Sequence, residues 1–212
     1  MSIPARDPAL STLPTETVWF VEVVGDAQAG SITAFNTLFE YYNPRICTYL
    51  ARMVGNDEEG RDLAQETFIK VWRALPRMND QLHFDTWLYR IATNTAIDHL
   101  RRRKFPWPLW KSFAEQEAFG PVITAGPEEQ VEEAELVKLA LAQLSPQYRA
   151  CLLLQHVEGF TQHEIASALS LSEKSISIYI NRGCEQFRQA YKRLTSGKDA
   201  TKDTTKRRRS TK

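Results

Sequence analysis

Arg90, Asn94, Asp98 and Arg101 recur at four- and three-residue steps, and Arg101, Arg102, Arg103 and Lys104 form four consecutive cations. That spacing lines guanidinium, amide and carboxylate groups along one side of a helix. One or two cations would suit the negative end of a helix macrodipole. Four in a row beside an amide suit a surface that follows phosphates. His83, Phe84, Trp87 and Tyr89 stand just ahead, at a loop-to-helix junction. Aromatic faces there can stack on an unpaired base, although tryptophan at helical spacing also serves a core. The chemistry on offer is recognition by charge, hydrogen bonding and stacking.

The preceding segment offers a different surface. Asp62, Gln65, Glu66, Lys70 and Arg73 share one side, and Leu63, Ala64, Phe68, Val71, Trp72 and Leu75 share the other. The apolar stripe is a core face, and the acidic side is either a solvated face or a dock for a protein. Bond-making chemistry finds no support. The chain has no glycine-rich phosphate loop, nucleophile elbow or paired-histidine zinc motif. His156 and His163 lie seven apart, and Cys151 precedes His156 by five, which is no metal-ligand spacing. No catalytic residue, metal, cofactor or small-molecule substrate is expected, and the chain reads as a non-enzyme.

Helices must position these groups. Three- and four-residue apolar periodicity dominates, and no segment alternates as a strand does. The expected helices in the first half cover residues 15–27, 31–42, 45–54 after Pro44, 58–75 and 84–103. In the second half Ser145-Pro146 opens a helix running to about 157. Thr161 and Glu164 form a capping box for a short helix ending at 169. After the turn Ser170-Leu171-Ser172 a longer helix covers 173–194. Two helices joined by so short a turn outline a helix-turn-helix.

The expected fold is all-α, with two small helical domains joined by a flexible acidic linker, the second a four-helix helix-turn-helix domain. Its parts are an N-terminal extension and first helix (1–30), a first domain (31–104), a linker (105–137), a second domain (138–194) and a basic disordered tail (195–212). Net charge follows these boundaries: −1 over residues 1–104, −6 over 105–137, +3 over 138–194 and +5 over 195–212. Alternating sign points to modules with different partners. No apolar run is long enough to span a membrane, and the N-terminus lacks a signal-peptide pattern. Cys47, Cys151 and Cys184 fit reduced structural thiols, so a cytoplasmic location without membrane insertion is expected.

The stretches DLAQETFIKVWRALPRM, FDTWLYRIATNTAIDHLRRRK and LSPQYRACLLLQHVEGFTQHEIASALSLS, in this order and spacing, resemble the extracytoplasmic-function sigma factors of bacterial RNA polymerase. The resemblance covers residues 34–104 and 141–194. It implies that Asp62, Gln65, Glu66, Trp72 and Arg73 dock on the clamp helices of the polymerase largest subunit. It implies that His83, Phe84, Tyr89, Arg90, Asn94, Asp98, Arg101, Arg102 and Arg103 recognise the −10 element and hold its non-template strand open. The linker would thread toward the polymerase channels. The second domain would sit by the flap and read the −35 element through Thr161, Lys174, Ser175, Ser177, Tyr179 and Arg182. RNA polymerase core, promoter DNA and an anti-sigma protein are the implied partners.

One departure stands out. The recognition helix of that family commonly carries a lysine and an arginine where this chain has Ser177 and Tyr179, and Gly183-Cys184 follow Arg182. Lost phosphate contacts lower affinity and flatten its salt dependence, so weak or unusual −35 reading is expected. Cations at 206–209 offer a compensating attraction. Two alternatives accompany the main reading: a sigma-like protein serving as a polymerase- or partner-binding regulator, and a helix-turn-helix regulator working without core polymerase.

Overall fold

The computed structural model describes residues 14–79, 83–103 and 133–209, with side chains described for 19–79, 83–103 and 133–195. Every regular element among them is helical. The first unit holds α1 (Pro14–Gln28), α2 (Ile32–Val54), α3 (Asp57–Ala74), a 3-10 turn (Leu75–Arg77) and α4 (Phe84–Arg103). The second holds α5 (Glu133–Ala142), α6 (Pro146–His156), α7 (Gln162–Leu169) and α8 (Glu173–Arg209).

Local chemistry sets most of the boundaries. Ser31 Oγ accepts from the Ala34 amide to start α2, and Gly55 at φ 79° closes it in the left-handed region. Asn56 Oδ1 accepts from the Glu58 and Glu59 amides at 2.9 and 3.0 Å. Acidic Asp57, Glu58 and Glu59 then fill the first turn of α3, where the macrodipole favours negative charge. Ser145 caps α6 with Pro146 at its first position. The Thr161–Glu164 capping box opens α7. Ser170 ends α7 at φ 54°, a conformation rarely taken by residues other than glycine, asparagine or aspartate.

Three boundaries differ from expectation. Pro44 does not divide two helices; it lies inside the single helix α2. Proline removes one amide donor and crowds the preceding turn. Burial of Leu38, Tyr42, Ile46, Tyr49 and Leu50 on one stripe holds both halves to the same core. Second, α5 begins at Glu133, inside the stretch read as linker, because Leu136, Ala140 and Leu141 supply a buried stripe beneath its acidic residues. The linker residues 104–132 lie outside the described residues. Third, α8 runs to Arg209 and so takes in most of the basic tail. No proline interrupts 195–209.

Helices α2 and α3 approach closely at Gly60. A Cβ at Gly60 would stand 2.6 Å from the Ala51 amide nitrogen and Cα, so glycine is required for that crossing. Edge-on aromatic pairs fill the first unit, among them Phe39 with Phe68 at 4.8 Å and Tyr49 with Tyr89 at 5.2 Å between ring centroids. The second unit packs directly on the first, and the buried apolar cluster runs continuously through both.

Candidate nucleic-acid interface

Two exposed polar surfaces are carried by neighbouring helices of the first unit. On α3, Asp62, Gln65 and Arg73 are exposed and Glu66 is partly so. Among them stand Ile69, 52% exposed, and Trp72, 37% exposed. The Trp72 ring leans edge-on against Phe35 at 4.8 Å, so it is half core, half surface. Lys70 joins the two helices, reaching Glu66 Oε1 at 2.8 Å and donating to Thr95 Oγ1 of α4 at 3.0 Å. The hydrogen bond from Lys70 holds the Glu66 carboxyl below the ordinary glutamate range.

On α4, Arg90, Asn94, Asp98, Arg101, Arg102 and Arg103 are all exposed, and the first four form one outward line. Arg101 Nη1 reaches Asp98 Oδ1 at 3.3 Å. Arg103 Nη1 and His99 Nε2 both meet the Glu59 carboxylate, at 3.1 and 2.8 Å. These contacts tie the basic end of α4 to the start of α3. They leave Arg90, Arg101 and Arg102 largely in solvent.

The aromatics expected at the junction divide. His83 is exposed and Trp87 half-buried, but Phe84 and Tyr89 are fully buried. Phe84 sits among Phe20, Tyr42 and Trp87, with centroids at 6.1, 5.4 and 5.8 Å. Tyr89 stacks edge-on against Phe160 of the second unit at 5.0 Å, and its hydroxyl donates to Glu158 Oε2 at 2.5 Å. Burial, reinforced by the adjacent Glu158 carboxylate, pushes the Tyr89 phenol far above its ordinary value. In this arrangement neither ring offers a face to a base.

Glu158 is a residue that sequence reasoning missed. It is 6% exposed and also accepts from Arg45 Nη2 of α2 at 3.2 Å. Its own neighbours in sequence do not mark it, because its partners come from α2 and α4. Arg149, inside α6, was missed as well. Its buried guanidinium donates to the carbonyl oxygens of Met53, Ala142 and Leu144, and burial lowers its pKa to about 10, so it stays charged at neutral pH. No periodicity marks a charged residue whose partner is a distant backbone carbonyl. A third cross-unit contact joins Lys138 to Asp57 at 3.0 Å.

Between the units lies a cleft of about 460 Å3, with Arg77, His83, Trp87 and Arg90 on one side and His163, Glu164 and Ser167 of α7 on the other. The N-terminal part of α4 therefore faces the first helix of the helix-turn-helix. On the helix-turn-helix itself, Lys174 and Arg182 are exposed, while Ser175 and Ser177 are partly covered. Tyr179 turns inward, its ring 5.2 Å from that of Tyr148 on α6. Thr161 is committed to its cap. Among the described residues no cluster of three or more His, Cys, Asp or Glu could hold a metal ion. His156 approaches Cys184, not Cys151, with Nε2 and Sγ 3.9 Å apart. No described helix is long and apolar enough to cross a membrane.

Residues 38–105 match the family described as Sigma-70 region 2, and residues 134–187 match Sigma-70, region 4. The RNA polymerase sigma factor CarQ of Myxococcus xanthus is 33% identical over 161 residues, covering 76% of this chain and 90% of CarQ. The ECF RNA polymerase sigma factor SigW of Bacillus subtilis is 29% identical over 179 residues, covering 81% of this chain and 96% of SigW. The chain belongs to the extracytoplasmic-function sigma factors.

In this sigma factor α3 and α4 fall within region 2, and α6, α7 and the first part of α8 within region 4. Helix α1 precedes both. Two solved structures share the fold. CnrH, in complex with the cytosolic domain of CnrY, superposes with a TM-score of 0.60 at 21% identity, covering 80% of this chain and 95% of CnrH. RpoE of Bartonella quintana, in complex with the anti-sigma factor NepR, gives 0.58 at 18% identity, covering 76% of this chain and 98% of RpoE. Sigma factors in general are not enzymes, which agrees with a site built from recognition groups.

Proposed function

We propose that this sigma factor binds RNA polymerase core through the outer face of α3 and reads the −10 element through α4. It carries out no bond chemistry of its own and works in the cytoplasm. The observation that carries this reading is the exposure of Ile69 and Trp72 among Asp62, Gln65, Glu66 and Arg73. Large apolar side chains left at the surface amid polar ones mark a protein-docking face. The polymerase clamp helices are the proposed partner there, and the flap is the proposed partner of region 4.

His83, Arg90, Asn94, Asp98, Arg101, Arg102 and Arg103 form the proposed −10 surface. Phe84 and Tyr89 contribute differently. Tyr89 is buried by Phe160 and Glu158 of region 4, so strand capture by Tyr89 requires region 4 to move aside, whereas Phe84, packed among Phe20, Tyr42 and Trp87, supports the helix start from within. The −35 surface comprises Thr161, Lys174, Ser175, Ser177, Tyr179 and Arg182. With Tyr179 packed on Tyr148, Lys174 and Arg182 are its main cations, and weak −35 reading follows. An anti-sigma protein is the proposed regulator, in keeping with the family. A core-independent regulator would have no use for region 2.

Reconstituted transcription with core polymerase on a genomic promoter library tests this reading. Asp62→Ala with Glu66→Ala should weaken core binding, and Arg101→Ala, Arg102→Ala and Arg103→Ala together should spare core binding but lose promoter-specific transcripts. Wild-type protein that binds core yet yields no specific transcript would sink the promoter-reading half. DNA binding undiminished without core would sink the polymerase half.

A further inference from the structure

Half of the side chains expected on the −35 surface are engaged within region 4 itself. Thr161 belongs to the capping box of α7, and Tyr179 packs its ring on Tyr148. Ser175 Oγ lies 2.8 Å from Ser172 Oγ, which also accepts from the Ser175 amide at 3.2 Å to start α8. The outward side of α8 instead carries Lys174, Ile178, Asn181 and Arg182, all exposed. Steps of three and four residues put them on one helix face. Acids beside them are held by neighbours, Glu173 by His163 at 2.7 Å and Glu185 by Arg188 at 2.9 Å. Among the described residues, the side chains of Lys174, Asn181 and Arg182 have no hydrogen-bond or ion-pair partner.

Ile178 is 48% exposed, whereas Ile176 and Ile180 supply the core from the other side of α8. One exposed isoleucine on a surface needs no explanation by itself. Its place decides the matter, at the centre of a polar row between Lys174 and Arg182. The helix rises about 12 Å from Lys174 to Arg182, close to the width of the DNA major groove at about 12 Å. Neutral groups have specific counterparts in that groove: a thymine methyl takes an apolar side chain, and adenine N6 and N7 take a side-chain amide. Ile178 and Asn181 are three residues apart, so their Cβ atoms stand about 5–6 Å from each other. That separation suits the edge of one A·T pair or the step to the next.

We propose that Ile178 and Asn181 are the base-reading pair of region 4, Ile178 on a thymine methyl and Asn181 on an adenine of the same or an adjacent A·T pair. This inference rests on the −35 role proposed for region 4. Lys174 and Arg182 then position the helix on phosphates at either end of the pair. Phosphate contacts supply affinity and base contacts supply sequence preference. A helix with few cations thus binds weakly and still discriminates, by reading A·T pairs through two uncharged side chains.

The test uses holoenzyme on the genomic promoter that gives the strongest wild-type transcript. Single thymines of its −35 region, on either strand, are replaced by deoxyuridine, which lacks the methyl. Single adenines are replaced by 7-deazaadenine, which lacks the N7 acceptor. Promoter affinity is measured for wild type, Ile178→Ala, Asn181→Ala and Arg182→Ala, with core affinity and the thermal midpoint as controls. One deoxyuridine should weaken wild type about fourfold, the scale of one buried methyl group, and leave Ile178→Ala unaffected. One 7-deazaadenine should weaken wild type roughly fivefold, the scale of one hydrogen bond, and leave Asn181→Ala unaffected. Both variants should keep the wild-type salt slope, whereas Arg182→Ala flattens it. Losses from base and side chain that simply multiply, at either residue, would overturn the inference. So would a wild type indifferent to every modified base while Arg182→Ala binds more weakly. If a scrambled −35 region leaves wild type unmoved and Arg182→Ala binds as tightly as wild type, the −35 role of region 4 itself fails.

Discussion

The Tyr89 hydroxyl donates to Glu158 Oε2 at 2.5 Å, across the boundary between region 2 and region 4. Arg45 closes on the same carboxylate oxygen from α2, and Phe160 covers the tyrosine ring. One acidic side chain of region 4 is thereby buried among a phenol and a guanidinium of region 2. A hydrogen bond to a charged group contributes about 1.5–3 kcal/mol, and an orphaned buried partner costs a similar amount.

Removing that carboxylate should therefore loosen the two regions without unfolding either. Glu158→Gln and Tyr89→Phe are expected to weaken their association by about 1–3 kcal/mol. Fluorophores on α4 and α8 should report a longer mean distance in both variants, with far-ultraviolet dichroism unchanged. An unchanged distance would mean that apolar packing alone holds the interface.

Placing a charge on the α3 face should strike core binding hardest at its apolar members. Ile69→Glu or Trp72→Glu should weaken binding to core polymerase by about 2 kcal/mol or more, as at other interface anchors. Asp62→Ala, at an exposed rim position, should cost less. Titration of labelled sigma factor with core measures both. Trp72→Glu also loses the Phe35 contact, so Ile69→Glu is the cleaner variant.

The α4 cations should reveal themselves through salt. If Arg90, Arg101 and Arg102 each neutralise a phosphate in the promoter complex, each alanine variant should flatten the slope of log K against log salt by roughly 0.7–0.9. Thermal stability should change little, because the one ion pair that the three form among the described residues, Arg101 with Asp98, is solvent-exposed. Arg103 should show a smaller effect if its contact with Glu59 persists on DNA.

Gly60→Ala should destabilise the first unit by about 1–3 kcal/mol, the usual range for overpacking, despite the higher helix propensity of alanine. The added methyl would meet the Ala51 backbone, which cannot rotate away. Thermal unfolding monitored at the α3 aromatics would detect it. A stabilised variant would refute the tight α2–α3 crossing.

Burial pushes the Cys151 thiol from its ordinary value near 9 up to about 12. The unfolded chain thus releases this proton at lower pH than the folded chain does. The resulting stability is fully present below pH 9 and is lost as pH rises toward 12. Urea midpoints measured between pH 8 and 10.5 should fall less steeply for Cys151→Ala than for wild type, whatever the offset from the cavity it leaves. Tyr49, also raised by burial and in small part by Cys151, acts in the same direction in both proteins.

Local signals carried far in this chain. Ser145, Thr161 with Glu164, and the turn at Ser170 stand where their capping and turn chemistry places them, because each depends on residues within a few positions. The outward line Arg90–Asn94–Asp98–Arg101 was legible for the same reason, since periodicity alone exposes it. Pro44 misled, because the core stripe on both sides of it outweighs one missing donor. Tyr89 looked like a surface aromatic, and only the arrival of Phe160 and Glu158 from a distant part of the chain buries it. Arg149 was invisible, since its partners are backbone carbonyls that every residue possesses.

Helix α2, with its 23 residues spanning about 35 Å, touches both regions at different heights. Its early turns press Phe35 and Phe39 on the α3 aromatics, its middle offers Arg45 to Glu158, and its last turn gives the Met53 carbonyl to Arg149. It therefore behaves as a common axle. A pull that lifts α6 away from region 2 frees the final turn of α2, and backbone amides there should exchange with solvent sooner than those beside Phe39.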